Sequence, residues 1–430
     1  MNILLIQLPP WGIETIPLGL AYVAGALKGH DVDVLDANIA LFHHAPELRE
    51  VYLSQNTVFW EKEVLKYKRF FIDICKDKKY DYVGFNANRF SLPILEIMLP
   101  CFPGTIKIVG GPAAQDQNAR QKIKADYFVV GEAEEIIANI IDGSEQGVAE
   151  YNHKVVIPKK KPDLTVIPDF SKFPLSLYTD TKGIPISFSR GCIRKCAFCS
   201  DWATTSPYRS RNAESVIIEM KENSKIFGRK VFSATDLLIN GNIPFLDNFS
   251  GSLIDQKLKF SWSGQATIRQ EMTQPLLEKM RFSGCTFLSY GVESLSDNVL
   301  SLMSKGYSSK TAKQVIKNTR EAGIEVGVNI VVGFPGESDA DIEETLTGLS
   351  EIGQYIDTIN SLNLCTINAG SVLDIKSSEF GIISGKNKLG MEWEDRHGSN
   401  IGVRLRRYGR IMKAAKALGL SPRWSNAPGF

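Results

Sequence analysis

The sequence predicts an α/β protein in two parts: an N-terminal doubly wound parallel sheet, then a partial parallel (β/α)6 barrel with a short C-terminal extension. Three observations carry this. Short apolar runs alternate with stretches of helical periodicity, the pattern of parallel sheets covered by helices. Several runs end directly in glycine, as at Val109-Gly110-Gly111 and Val130-Gly131. The length, 430 residues, is long for one core, so two domains are expected. We place the first at residues 1–145, a linker at 146–180, the barrel at 181–375 and the extension at 376–430.

In the first part, Ile3 to Ile6 is wholly apolar and reads as a buried strand. Pro17 to Lys28 has helical periodicity, with Pro17 near its start and Gly29 past its end. Val32 to Leu35 is the next strand. Val58 to Ile74 sets Trp60, Val64, Tyr67, Phe71 and Ile74 at three-and-four spacing, one face of a helix. Strands follow at Tyr82 to Phe85, Ile106 to Val109 and Tyr127 to Val130. In such sheets ligands bind beyond the carboxyl ends of the strands. A glycine there admits close approach of a ligand, or merely makes a tight turn.

Residues 146–180 read as a linker, with prolines at 158, 162, 168 and 174. The run Lys159-Lys160-Lys161 within it reads as a solvated face. The second series has strands at Ile184 to Ser189, Lys230 to Ser233, Phe260 to Ser263, Thr286 to Gly291, Val326 to Val332 and Ile359 to Leu364. Helical stretches such as Ala213 to Ile226 and Gln274 to Phe282 separate them. Parallel barrels carry their active sites at the C-terminal strand ends. Val403 to Leu418 reads as a basic surface helix. Arg404, Arg406, Arg407, Arg410, Lys413 and Lys416 lie on one side; Leu405, Ile411, Met412 and Leu418 lie on the other.

Composition narrows the class. With 50 basic against 48 acidic residues, no general affinity for nucleic acid or anionic membrane is expected. No run of 18 apolar residues exists, so no membrane-spanning helix is expected. The N-terminus lacks a basic leader pattern and reads as a strand rather than a signal peptide, and a cytoplasmic, reducing compartment is expected because thiolate ligands must stay reduced. Seven cysteines, an odd number in a long chain, argue against a secreted disulfide scaffold. Cys75, Cys101, Cys285 and Cys365 are isolated in apolar settings and read as core residues.

The other three stand apart. Cys192, Cys196 and Cys199 follow the first barrel strand in the run Ser189-Arg190-Gly191-Cys192-Ile193-Arg194-Lys195-Cys196-Ala197-Phe198-Cys199. Three thiolates can hold three corners of a cubic iron–sulfur cluster and leave one iron open for chemistry. The alternative is structural zinc, which needs a fourth Cys or His. Cys285 lies far downstream and His153 well upstream, and neither forms a second knuckle.

The C-x3-C-x2-C spacing after a first barrel strand, with Phe198 before the third cysteine, resembles the radical S-adenosylmethionine (SAM) superfamily. The resemblance covers residues 184 to about 365. It implies a [4Fe–4S] cluster whose open iron chelates SAM, and reductive cleavage of SAM to a 5′-deoxyadenosyl radical. It also implies an electron donor such as flavodoxin or ferredoxin. By the same resemblance, Asp236 faces the SAM amino group, although Ala234-Thr235-Asp236 departs from the family's Gly-Gly-Glu. Glu293 and Ser294 suit the ribose hydroxyls and carboxylate, Arg269 pairs with the carboxylate, and Val332-Gly333 lies against adenine. Gln265 ends the third strand without an assigned role. For each, the alternative is a capped helix or an ordinary surface charge.

The first part resembles the Rossmann-like cobalamin-binding domain that precedes many radical SAM barrels. The matching pieces are Pro9-Pro10, Pro17-Leu18-Gly19-Leu20, Leu35-Asp36-Ala37-Asn38, Val109-Gly110-Gly111-Pro112, Gly131-Glu132-Ala133-Glu134 and Ile167-Pro168-Asp169-Phe170. The D-x-H-x-x-G motif of classical cobalamin proteins is absent; His30, His43 and His44 are out of frame. Candidate cobalamin contacts are Pro17, Leu18, Gly19, Asn86, Gly110, Gly111, Gly131 and Glu132, with Asn88 and Arg89 nearby. The alternative is a domain that keeps the fold and no cofactor.

Together the resemblances imply a cobalamin-dependent radical SAM enzyme that moves a methyl group from methylcobalamin to an unactivated carbon or phosphorus of a small-molecule or peptide substrate. Trp202, Tyr208 and Arg209 are substrate candidates, followed by Trp393, Asp395 and His397. A non-methylating rearrangement or cyclisation, and a binding module without turnover, are the rivals.

Overall fold

The first apolar run forms β1 (Asn2–Gln7) near one end of a seven-stranded sheet. The computed structural model describes residues 1–48, 57–75, 79–144, 148–150, 154–157, 164–178, 183–205, 207–385 and 390–427. Lys159-Lys160-Lys161 and His153 lie outside the described residues. The chain divides into two units: residues 1–185 with 219–229, and residues 186–218 with 230–430.

The first sheet continues through β2 (Asp31–Asp36), β3 (Tyr82–Asn86), β4 (Ile106–Gly110), β5 (Tyr127–Val129), β6 (Val148–Glu150) and β7 (Lys154–Val156). Its order is β2-β1-β3-β4-β5-β7-β6, parallel except for the β6–β7 pair. An order that begins 2-1-3-4-5 is doubly wound, with its switch point between β1 and β3. Period-two alternation divides β1 between two cores. Leu4 and Ile6 join Val83, Phe85, Trp60 and Phe71 on one face. Ile3 and Leu5 join Ile108, Leu20, Ile137 and Phe170 on the other.

Two expectations are corrected in this unit. The predicted long helix is a helix at Thr57–Val64, a 3-10 turn at Leu65–Tyr67 and a helix at Lys68–Asp73, although Trp60, Val64 and Phe71 do share a core. The predicted linker is built into the first sheet: it supplies β6 and β7, and it buries Phe170, Phe173 and Tyr178.

The second unit contains an open sheet. Its chain begins with β8 (Ile184–Ile186), whose start belongs to the first unit, and the two-residue ribbon β9 (Ser189–Arg190) and β10 (Arg209–Ser210). Then come β11 (Val231–Ala234), β12 (Ser261–Ala266), β13 (Cys285–Glu293), β14 (Glu325–Val332) and β15 (Thr358–Leu364). A second ribbon, β16 (Ile382–Ser384) and β17 (Glu394–Asp395), precedes β18 (Pro422–Trp424). The sheet order is β18-β15-β14-β13-β12-β11-β8. All six predicted barrel strands are present, and β18 adds a seventh, parallel to β15. Helices such as Ala213–Phe227, Gln274–Phe282 and Asp339–Ile352 alternate with the strands.

The basic helix forms at Ile401–Ala417, with one correction: Arg404 is not on the solvent side but fully buried. Its stripe is Arg404, Tyr408, Ile411 and Ala415, whereas Leu418 is exposed. Among the described residues, no helix is long and apolar enough to cross a membrane.

Candidate functional site

The cysteine loop leaves β9 at Gly191, which has φ +87°. A Cβ there would lie 2.7 Å from the Thr205 carbonyl oxygen, so the loop closes on itself only with glycine. Cys196 is buried; Cys192 and Cys199 are half-buried. The Arg194 amide donates to Cys192 Sγ at 3.3 Å. Burial pushes the Cys192 thiol up and raises Cys199 to about 11, against the backbone N–H groups beside each. A coordinated iron removes that proton.

The donor set fits a cubane. All seven cysteines are free thiols. Among the described residues, no three His, Cys, Asp or Glu side chains gather around one point as a single ion requires. In an iron–sulfur cube each cysteine holds its own iron, so wider spacing is expected. The loop is held from three sides. Ala197 N donates to the Met303 carbonyl at 3.0 Å, Leu373 N to the Ala197 carbonyl at 2.8 Å, and Asn368 Nδ2 to the Phe198 carbonyl at 3.1 Å.

Beside the loop sits a residue that sequence reasoning missed. Lys305 is only 4% exposed and forms an ion pair with Glu293 at 3.2 Å. Its ammonium lies 5.7 Å from the Phe198 ring centre and 5.8 Å from that of Tyr307. Burial alone pulls its pKa down, but Glu293, Tyr307 and Cys196 outweigh that and carry it upward. Glu293 has φ +64°, at the end of β13. The one signal available was Lys305-Gly306 after an apolar helix, which reads equally well as a helix stop.

Other predicted SAM contacts have partners within the protein. Asp236 accepts from Phe188 N at 3.0 Å and from Ser189 Oγ at 2.6 Å, and also from Ser189 N. It clasps the segment that feeds the cysteine loop. Arg269 donates to the Asn240 and Gly241 carbonyls and pairs with Glu271 at 2.6 Å, so it is not a spare cation for a carboxylate. Ser294 Oγ is hydrogen-bonded to Thr345 Oγ1 at 3.1 Å and accepts from Ser296 N. Val332 is buried, and its carbonyl accepts from Cys365 N. Gly333 N donates to Glu337, and the Arg404 side chain covers its α-carbon face. Gln265 is exposed at the end of β12.

The substrate candidates separate. Tyr208 lines a cleft of about 630 Å³ with Ser210, Gly241, Asn242, Arg269 and Glu271, beyond the ends of β11 and β12. Its ring lies on Gly241, where a Cβ would meet it at 2.3 Å. Trp202 lies under Lys195, and Arg209 is in the β9–β10 ribbon; neither lines this cleft. Trp393 and Asp395 are corrected to core residues. Trp393 donates to the Cys365 carbonyl, and Asp395 accepts from Gly336, His397 and Ser399 amides. His397 is exposed.

In the first unit the candidates share the carboxyl edge of the sheet. Pro17, Leu18 and Gly19 start the helix Leu18–Ala26, which has no side-chain cap, and a Cβ on Gly19 would meet nothing within 4 Å. Asn86 ends β3 and donates to Gln7 Oε1 at the end of β1, 2.7 Å away. Gly110 and Gly111 end β4, with φ +79° at Gly111; Gly131 and Glu132 follow β5, with φ +105° at Gly131. Asn88 donates to the Pro10 carbonyl, and Arg89 lies over Phe90. An uncapped helix start with open space at Gly19 in its first turn suits the phosphate of a nucleotide tail. The residues present therefore fit such a cofactor.

Three cysteines lie on the loop after the first strand of an open β/α barrel. Residues 186–348 match the sequence model of the Radical SAM superfamily, so the chain carries a radical SAM domain, which implies a [4Fe–4S] cluster and SAM. An uncharacterized methyltransferase of Pyrococcus horikoshii is 24% identical over 80% of this chain and 77% of that protein. An anaerobic magnesium-protoporphyrin IX monomethyl ester cyclase of Cereibacter sphaeroides is 23% identical over 58% of this chain and 45% of its own length. Among solved structures, the radical SAM methyltransferase TsrM of Kitasatospora setae, with cobalamin and a [4Fe–4S] cluster bound, is similar with a TM-score of 0.69. It is 14% identical, over 95% of this chain and 85% of that one. The cobalamin-dependent radical SAM enzyme OxsB, with aqua-cobalamin bound, is similar with a TM-score of 0.70 at 13% identity, over 97% of this chain and 67% of that one. At these identities the likeness is one of fold.

Proposed function

We propose that this chain is a cobalamin-dependent radical SAM methyltransferase acting on a small molecule or peptide. The observation that carries it is the presence of a three-cysteine barrel loop together with a doubly wound sheet whose carboxyl edge is built of glycine turns. The solved relatives with cobalamin and the relative named a methyltransferase support the same reading. Cobalamin, when bound, supplies a carrier for a methyl group between SAM and substrate. The chain's part is to seat the nucleotide tail at Leu18-Gly19 and the strand-end glycines, and to hold the cluster through Cys192, Cys196 and Cys199. The Tyr208 cleft is the substrate position in this reading.

The test is anaerobic reconstitution with iron, sulfide and hydroxocobalamin, then SAM and a low-potential reductant. A retained corrinoid spectrum, S-adenosylhomocysteine that depends on cobalamin, and 5′-deoxyadenosine that depends on Cys196 are expected. A chain that retains no corrinoid and still makes 5′-deoxyadenosine is a radical SAM enzyme of another kind. The relative named a cyclase makes a non-methylating reaction the second reading. It is favoured if corrinoid is retained without S-adenosylhomocysteine.

A further inference from the structure

The turn after the helix Asp297–Leu302 is shaped to deliver one buried cation to the cysteine loop. Ser304 has φ +58° and Gly306 has φ +68°, so Lys305 lies between two left-handed residues. A serine adopts that region only at a cost. A Cβ at Gly306 would meet the Arg194 guanidinium at 2.8 Å, so the turn lies directly against the cysteine loop. The Ala197–Met303 backbone hydrogen bond locks the two together. Gly291 completes the niche: a side chain there would strike Glu293 Oε1 at 2.7 Å and approach Lys305 Nζ at 3.6 Å.

A lysine ammonium has three donors. Among the described residues Glu293 is the one hydrogen-bond acceptor recorded for this one. The Phe198 and Tyr307 rings supply the rest of its surroundings, within cation–π range. Burying an ammonium this far is costly unless opposite charge is close. One carboxylate balances it, yet the electrostatics of Lys305 also reach Cys196 and those of Cys192 reach Lys305. The charge sits beside the cysteine loop, next to the Phe198 ring that precedes Cys199, as well as beside its partner.

We infer that Lys305 is a fixed counter-charge to the three-cysteine cluster, tuned by Glu293, and that the pair sets how readily the cluster accepts its electron. A cluster held by three thiolates becomes more negative on reduction. A nearby cation in a poorly solvated niche favours the reduced form, and a neighbouring anion opposes it. The inference rests on the cluster held by the cysteine loop, and on neither cobalamin nor methyl transfer.

The experiment is a redox titration of the reconstituted protein without SAM, followed by electron paramagnetic resonance, after iron and sulfide have been counted. Lys305→Met keeps the length of the side chain and removes the charge. It is expected to disfavour reduction about tenfold, a shift of about 59 mV toward negative potential for one electron. Glu293→Gln removes the opposing charge and is expected to shift the potential the other way. Lys305→Arg is expected to stay near the parent value. Opposite signs are the outcome that a merely structural role does not produce. Unchanged potentials, or shifts of one sign in both variants, overturn the inference. So does an unchanged potential in Lys305→Met with SAM binding weakened tenfold, which makes Lys305 a SAM contact instead. If Lys305→Met holds no iron, Glu293→Gln decides alone, and an unshifted potential there overturns the inference.

Discussion

Glu337 Oε2 accepts the Gly333 amide at 2.6 Å, just past the end of β14. The carboxyl is buried, and the Cα face of Gly333 on the other side presses on the Arg404 side chain. The strand end that the radical SAM resemblance sets against adenine is thus fixed from within by an acid and a base that do not meet. Burial raises Glu337 to about 8, although the Gly333 amide and Arg407 oppose it.

That shift gives a pH dependence. Between its ordinary value of 4.5 and about 8, the folded chain keeps a proton on Glu337 that the unfolded chain has released. Stability therefore falls as pH rises through that window and levels off above it. Glu337→Gln keeps an acceptor for Gly333 and has nothing to titrate. Urea midpoints across pH 5 to 9 are expected to fall less steeply for the variant, which becomes the more stable protein at the alkaline end. Parallel curves would sink the argument.

Arg404 and Gly333 are expected to behave non-additively. Arg404 is 0% exposed, lies 3.6 Å over the Trp393 ring and donates to the Trp393 and Met391 carbonyls. Arg404→Ala leaves those carbonyls buried and opens a cavity, with an expected loss of about 3 kcal/mol. Gly333→Ala forces a Cβ to 2.4 Å from Arg404 Cδ at φ +83°. In the Arg404→Ala background the collisions with Cδ and Cγ are gone, and the tight 3.0 Å approach to the Cβ and the backbone cost remain. The two losses are expected to sum to at least about 1 kcal/mol more than the double variant shows. Chemical denaturation of the four proteins measures it.

Asp236 acts on the cluster at second hand. Its carboxylate gathers Phe188 N, Ser189 N and Ser189 Oγ just before the cysteine loop. Asp236→Ala leaves Phe188 N and Ser189 N buried without that acceptor, a loss of about 1–3 kcal/mol for each such group, while Ser189 Oγ keeps the Leu238 carbonyl at 3.2 Å. Iron bound after reconstitution is expected to fall by half or more, while Asp236→Asn, which keeps an acceptor, loads nearly normally. Equal iron in both variants would return Asp236 to the role of a cofactor contact.

What was legible in the chain was local. Cys192, Cys196 and Cys199 are close in sequence, and the glycines at 110, 111 and 131 follow directly on apolar runs, so spacing alone exposed them. Lys305 was not legible, because its meaning comes from a fold that sets it against Ala197, far off in sequence, and turns it back on Glu293 across an intervening helix. Arg404 was misread through its charge, although its spacing to Tyr408, Ile411 and Ala415 marks a buried stripe. The prolines of the supposed linker hid Phe170, Phe173 and Tyr178, whose aromatic area seals the first sheet. β18 is three residues long, too short for any periodicity.

The last prediction concerns cobalt. The switch point of the first sheet lies between β1 and β3, where Gln7 and Asn86 tie their amides together. Neither is an imidazole. His30 precedes β2, at the amino edge of the sheet, and approaches Asp142 at 3.7 Å. His43 and His44 end the helix that follows β2, so they too lie toward that far edge. His43 Nε2 is 2.7 Å from the Leu177 carbonyl, and His44 stacks on Phe70. In the proposed cobalamin complex, none of these three reaches the carboxyl edge. The divalent cobalt spectrum is therefore expected to show no nitrogen splitting from His30, His43 or His44. Replacing the three together with alanine leaves the spectrum the same. A splitting lost in that variant would place one of them on cobalt and refute this arrangement of the switch point.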